Sequence, residues 1–139
     1  MQRWPSVEAA VRRFYELFSA NDVDDFAAGL SPEPDGMVIG TGPTEWYEGR
    51  DTFVGAYAEQ IAAIPGIRLE AGNPRGWEEE TVGWAADRPT FLLPDGTLMP
   101  VRLTMILTKD GDEWKPTQAH FSLGVPDELL PSVLGGEAA

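Results

Sequence analysis

Pro100-Val101-Arg102-Leu103-Thr104-Met105-Ile106-Leu107-Thr108, then Lys109-Asp110-Gly111-Asp112, then Glu113-Trp114 through Gly124 read as two strands joined by a turn. Successive side chains of a strand point to opposite faces. Leu103, Met105 and Leu107 therefore share one face, and Arg102, Thr104, Ile106 and Thr108 share the other. On the second arm the same rule groups Lys115, Thr117, Ala119, Phe121 and Leu123 against Trp114, Pro116, Gln118, His120 and Ser122. Gly111 after Asp110 accepts the positive φ of a tight hairpin. The prediction is an antiparallel hairpin with one apolar face. Its other face carries Arg102, Thr104, Gln118, His120 and Ser122, and either lines a pocket or faces water.

Outward from the hairpin, the N-terminal stretch has helical period. Trp4, Val7, Val11, Phe14 and Phe18 recur at three- and four-residue steps. Asp22 suits the start of a second short helix carrying Val23, Phe26, Ala27 and Leu30, and Ser31-Pro32-Glu33-Pro34 ends it. Met37 to Gly40 is a short strand, Thr41 to Thr44 a loop, and Glu45 to Arg50 a turn bearing Trp46 and Tyr47. Asp51 to Ile64 is a third helix with Val54, Tyr57, Ala58 and Ile61 along one side. Strand material follows: Ile67 to Ala71, a bend at Asn73-Pro74-Arg75-Gly76, then Trp77 to Ala86 and Thr90 to Leu93. Pro94-Asp95-Gly96 turns the chain into the hairpin. A short helix is expected from Asp127 to Leu134 and fraying from Gly135 to Ala139. Helices followed by a sheet give the α+β class, in one domain over 1–139.

Composition excludes several classes. With 23 acidic against 10 basic residues the net charge is −13, so nucleic acid and anionic membrane surfaces repel the chain. There is no cysteine, no signal-like N-terminus and no apolar run of membrane-spanning length, so a cytoplasmic protein is expected. A single histidine among scattered carboxylates writes no metal site, and no cofactor is expected. Gly40-Thr41-Gly42-Pro43 lacks the Lys-Ser/Thr of a phosphate loop. His120 and Ser122, two apart on one strand face, do not suit nucleophile–base geometry. His120 has the intrinsic pKa of a neutral-pH acid/base, and equally of a structural histidine. Arg102 either binds a carboxylate or carbonyl group or pairs with an acid such as Glu45. Trp46, Tyr47, Trp84 and Trp114 are core anchors or ligand-site walls.

The order helix, helix, strand, helix, sheet resembles the SnoaL-like branch of the nuclear transport factor 2-like (NTF2-like) superfamily. So do Ile39-Gly40-Thr41-Gly42-Pro43-Thr44-Glu45-Trp46 with Gly49, and the run from Arg102-Leu103-Thr104 to Trp114-Lys115-Pro116-Thr117-Gln118-Ala119-His120-Phe121-Ser122. The resemblance spans roughly Val7 to Pro126. It implies a cone-shaped α+β barrel in which a curved antiparallel sheet wraps the N-terminal helices around an apolar pocket. It also implies dimerisation through the convex sheet face. The fold serves isomerases, polyketide cyclases, dehydratases, transport factors and a kinase hub domain, so it does not select an activity. The ketosteroid-isomerase tyrosine, aspartate and base fall here on Phe14, Thr104 and Gly40, which cannot do that work, with Tyr15 one residue away. By similarity to the cyclases, His120 would be a catalytic histidine with Asp87 as partner. By similarity to the hub domain, Arg102, His120 and Ser122 would line a binding cavity.

The expectation is a small apolar or weakly anionic molecule bound by Arg102, Thr104 and Ser122, with Trp46, Tyr47 and Trp84 as walls. The alternatives are a cyclase, isomerase or hydrolyase using His120 and Asp87, and a homo-oligomeric assembly module. The face of Leu103, Met105, Leu107, Ala119, Phe121 and Leu123, if the first helix lay on the other side, would call for a homodimer.

Overall fold

The computed structural model describes residues 2, 3 and 5 to 133, with side chains described over 5–131. Trp4, Leu134 and the stretch 135–139 expected to fray lie outside them. The strands are β1 (Gln2–Arg3), β2 (Met37–Ile39), β3 (Trp46–Glu48), β4 (Arg68–Glu70), β5 (Arg75–Glu79), β6 (Val82–Asp87), β7 (Thr90–Leu92), β8 (Leu98–Pro100), β9 (Arg102–Asp110) and β10 (Glu113–Ser122). The helices are α1 (Pro5–Ser19), α2 (Val23–Gly29), α3 (Arg50–Ala63) and a terminal α4 (Leu130–Val133), which a 3-10 turn over Asp127–Leu129 precedes. A seven-stranded sheet runs β1-β5-β6-β9-β10-β2-β3, and a three-stranded sheet runs β4-β7-β8. The class is α+β, with helices packed on a curved sheet. The large sheet keeps two free edges rather than closing into a barrel, and it is mixed, since β2 pairs with β10 in parallel.

The expected hairpin forms, with Gly111 at φ 63° in its turn. Its second arm carries a bulge between Pro116 and Gln118, a position where proline has no N–H for the ladder. One extra residue reverses the alternation. Trp114 and Pro116, expected beside His120, instead lie buried on the same side as Ala119 and Phe121, with Leu103, Met105 and Leu107. The segment expected as a turn at Trp46 to Glu48 is a strand, antiparallel to β2.

Two rows of side chains cross the large sheet in register. On the inner side stand Gly76, Ala85, Met105, Ala119, Val38 and Tyr47. The small residues in that row leave room for α1. A Cβ at Gly76 would stand 2.8 Å from Val7 Cγ1, so the helix sits almost on the backbone of β5. Glu8 Oε2 accepts the Gly76 N–H at 3.0 Å and fixes the crossing. The stripe Val7, Val11, Phe14, Tyr15 and Phe18 is buried against this face. The Leu103, Met105 and Leu107 face expected to be free for a homodimer is instead buried beneath α1.

At its far end α1 is held by side-chain hydrogen bonds, one of them to a free carbonyl of its last turn. The Tyr57 hydroxyl donates to Phe18 O at 2.7 Å. Ser19 Oγ accepts the Leu69 N–H at 2.9 Å and so joins α1 to β4. Asp22 caps α2 through Oδ1, which accepts the Asp25 N–H at 3.0 Å. Arg50, opening α3, donates to Ser31 O and to Ala27 O at the end of α2.

Candidate functional site

A cavity of about 430 Å³ opens where α1, α2 and α3 meet the large sheet and the three-stranded sheet. Its walls are rings that the helical stripes aim inward: Phe14 and Phe18 from α1, Phe26 from α2, Phe53 and Tyr57 from α3. Phe91 of β7 and Phe121 of β10 close the sheet side. Tyr57 stacks on Phe26 with ring centroids 3.9 Å apart and planes at 14°, and Phe91 meets Phe121 at 5.4 Å. Burial raises the Tyr57 phenol above its ordinary pKa, so it stays protonated, and its proton is committed to Phe18 O.

Polar groups reach the cavity from two segments besides Tyr57. Gly40, Thr41, Glu45 and Tyr47 come from the β2–β3 segment, with Glu59 and Gln60 from α3. The loop is shaped around the Glu45 carboxylate. Glu45 Oε2 accepts the Gly42 N–H, and the Gly40 N–H donates to Glu45 O at 2.7 Å. A Cβ at Gly40 would stand 2.8 Å from Glu45 Oε2, and so would one at Gly42. Neither glycine has a positive φ, so both serve space rather than backbone freedom. The segment is a carboxylate cradle, not a phosphate loop.

The expected site residues are placed differently. Arg102, Thr104, His120 and Ser122 share one face as read, but it is the outward face of the large sheet. Arg102 and His120 are exposed; Arg102 Nε donates to Ser122 Oγ at 3.1 Å and does not pair with Glu45. The expectation that this face lines the cavity is corrected. The reason is α1, which occupies the opposite face. Trp46 is 60% exposed, with Nε1 donating to Glu48 Oε2 at 3.2 Å. Trp84 sits on the outer face beside Trp77, Ile106 and Gln118. Tyr47 alone among the expected residues lines the cavity.

Asp87 is buried on the inner side of β6, so the sheet separates it from His120 and the two form no acid–base pair. Its carboxylate accepts the Tyr15 hydroxyl at 2.8 Å, the Gly72 N–H at 3.1 Å and the Asn73 N–H at 2.7 Å. Burial, then the hydrogen bond to Asp87 and its charge, push the Tyr15 phenol far above its ordinary value. This constellation ties α1 to β6 and the loop before β5. Tyr15 and Asp87 do not line the cavity. Among the described residues no group of three or more His, Cys, Asp and Glu is placed to hold a metal ion, and no helix is long and apolar enough to cross a membrane.

Sequence reasoning missed the cavity's phenylalanines as ligand walls and Glu45 as a charged group on its lining. A signal was present in the glycines two apart that precede Glu45, whose meaning depends on where the side chain folds back.

Solved structures share this architecture. An NTF2-like protein of unknown function from Pseudomonas putida superposes with a TM-score of 0.74 at 13% identity, covering 91% of this chain and 93% of that one. A protein provisionally named a dehydratase of the NTF2-like family, from Streptomyces avermitilis, gives 0.72 at 20% identity over 87% and 95%. One provisionally named a scytalone dehydratase, from Novosphingobium aromaticivorans, gives 0.72 at 15% over 86% and 83%. At such identities the likeness carries the fold alone. No curated protein matches the sequence. The model of the SnoaL-like domain family matches residues 7–127, most of the chain, and the protein belongs to that family.

Proposed function

We propose that this protein binds a small, mostly apolar, ring-bearing molecule in the aromatic cavity. The observation that carries the reading is the cavity itself. At about 430 Å³ it lies within the range of roughly 300–1,000 Å³ of small-molecule sites. A lining that is mostly apolar, with a few polar groups, is the usual division between affinity and orientation. An anionic ligand is disfavoured, because the charged residues lining the cavity are Glu45 and Glu59. Nucleic acid and anionic membranes stay outside the reading, as the net charge of −13 repels both. A cytoplasmic location, which fractionation of the native host would test, belongs to the same reading.

Calorimetric titration with 2-naphthylmethanol, an uncharged two-ring probe, tests it. Saturable one-to-one binding is expected. Ala56→Trp, which fills the cavity from α3, should weaken binding at least tenfold while thermal unfolding stays cooperative. Equal binding by the Ala56→Trp variant would refute the assignment.

A second reading rests on the outer face. Trp77, Trp84, Ile106, Gln118 and Met37 stand in one row there, with Ile106 40% and the neighbouring Val82 41% exposed. Burying such a row stabilises at about 25 cal/mol per Å², and a two-fold dimer buries it on both copies. Sedimentation at high micromolar concentration should give a dimer that Trp84→Glu converts to monomer. A wild-type monomer would rule the dimer out.

A further inference from the structure

We infer that the cavity's ligand carries an organic ammonium group, with the Glu45 carboxylate as its anchor and the aromatic walls as its second partner. The inference rests on the cavity being the ligand site. Glu45 is half-buried on the cavity lining, and Oε2 is held by the Gly42 N–H. Among the described residues Oε1 makes no hydrogen bond, and neither oxygen pairs with a lysine, arginine or histidine. Among the described residues no cationic side chain lines the cavity. An apolar ligand covering this carboxylate would strip water from it and return nothing, leaving an unpaired charge desolvated. A neutral hydroxyl returns one hydrogen bond. An ammonium returns a hydrogen bond and cancels the charge.

The rest of the cavity suits the same group. Ring faces carry the negative end of the aromatic quadrupole and attract a cation within about 6 Å. Phe14, Phe26, Phe53, Tyr47 and Tyr57 present rings to the cavity from four elements. Glu59, also on the lining, adds a second negative charge, and the net charge of −13 concentrates cations around the whole molecule. The two glycines make the carboxylate's position a built feature. Any side chain at Gly40 or Gly42 would push Glu45 from its seat. The loop gives up two side chains to place one acid.

Three probes of one shape test the inference: 2-naphthylmethylammonium, 2-naphthylmethanol and 2-naphthoate, titrated against the whole chain at pH 7 and low salt. The ammonium should bind at least tenfold tighter than the alcohol, and the naphthoate weakest. Glu45→Gln, which keeps shape and an acceptor for the Gly42 N–H, should cut the ammonium's preference over the alcohol at least fivefold, leaving only what the rings and Glu59 contribute. Gly42→Val should do the same by displacing the carboxylate. Equal binding of the three probes, tightest binding of naphthoate, or an ammonium preference that Glu45→Gln leaves undiminished would overturn the anchor and leave the cavity reading standing. If none of the three binds, both readings fall.

Discussion

The two faces of the large sheet are written in similar alternating code and do opposite work. The inner row Gly76, Ala85, Met105, Ala119, Val38 and Tyr47 looks chemically bland. The outer row Arg75, Ala86, Thr104, His120, Ile39 and Trp46 looks like a site. Yet the bland face carries α1 and closes the cavity, and the polar face is turned away from both. Which face of a sheet holds function is decided by what packs on it. Small inner residues let a helix approach, and that helix brings Phe14 and Phe18 to the cavity.

The largest effect that separates the faces is in core packing. Leu107 is fully buried, and Leu107→Ala should cost about 2–5 kcal/mol in urea unfolding. Ile106→Ala, next to it but pointing outward, should cost less than about 1 kcal/mol. Similar losses would break the two-face account. A smaller contrast comes from glycine. Gly76→Ala drives a Cβ to 2.8 Å from Val7 and should destabilise by about 1–3 kcal/mol. Gly55→Ala, on α3 where the new Cβ meets nothing within 4 Å, should instead stabilise by about 0.5–1 kcal/mol. Opposite signs in thermal melts are the expected outcome.

Tyr15→Phe sharpens the account of Asp87 as a tie rather than a catalyst. Losing that hydrogen bond should cost about 1–2 kcal/mol. It should also change the alkaline limb. The folded pKa of Tyr15 lies above its unfolded value of 10.0, so its contribution is complete below pH 10 and is lost as pH rises beyond it. Wild type should therefore lose stability above pH 10 more steeply than Tyr15→Phe, in urea midpoints taken from pH 8 to 11. Parallel curves would deny the burial of that phenol. Smallest of all, His120→Ala should shift stability by no more than about 0.5 kcal/mol and leave probe binding unchanged. A tenfold binding loss would return His120 to the site.

Much of the fold was legible. The three helices, the Asp22 cap, the hairpin and its Gly111 turn follow from period, capping and turn chemistry. The bulge after Pro116 was not, because a single extra residue leaves a pattern that still alternates. Trp46 to Glu48 read as a turn since a three-residue strand gives period-2 alternation too little length. The site was largely illegible. Alternation says which residues share a face and nothing about which face a helix covers, so the whole polar set of Arg102, Thr104, His120 and Ser122 was carried to the wrong side together. Glu45 escaped because its role comes from a side chain folding back over two glycines, a contact outside any periodic pattern.

An ¹H–¹⁵N correlation spectrum of the wild-type chain titrated with 2-naphthylmethanol tests the central claim most directly. The account predicts shifts concentrated at the amides of Gly40, Thr41, Tyr47, Tyr57 and Phe91, with Arg102, Thr104, His120 and Ser122 unmoved. Shifts concentrated at Thr104, His120 and Ser122 instead would contradict it, because the ligand would then sit on the outer face.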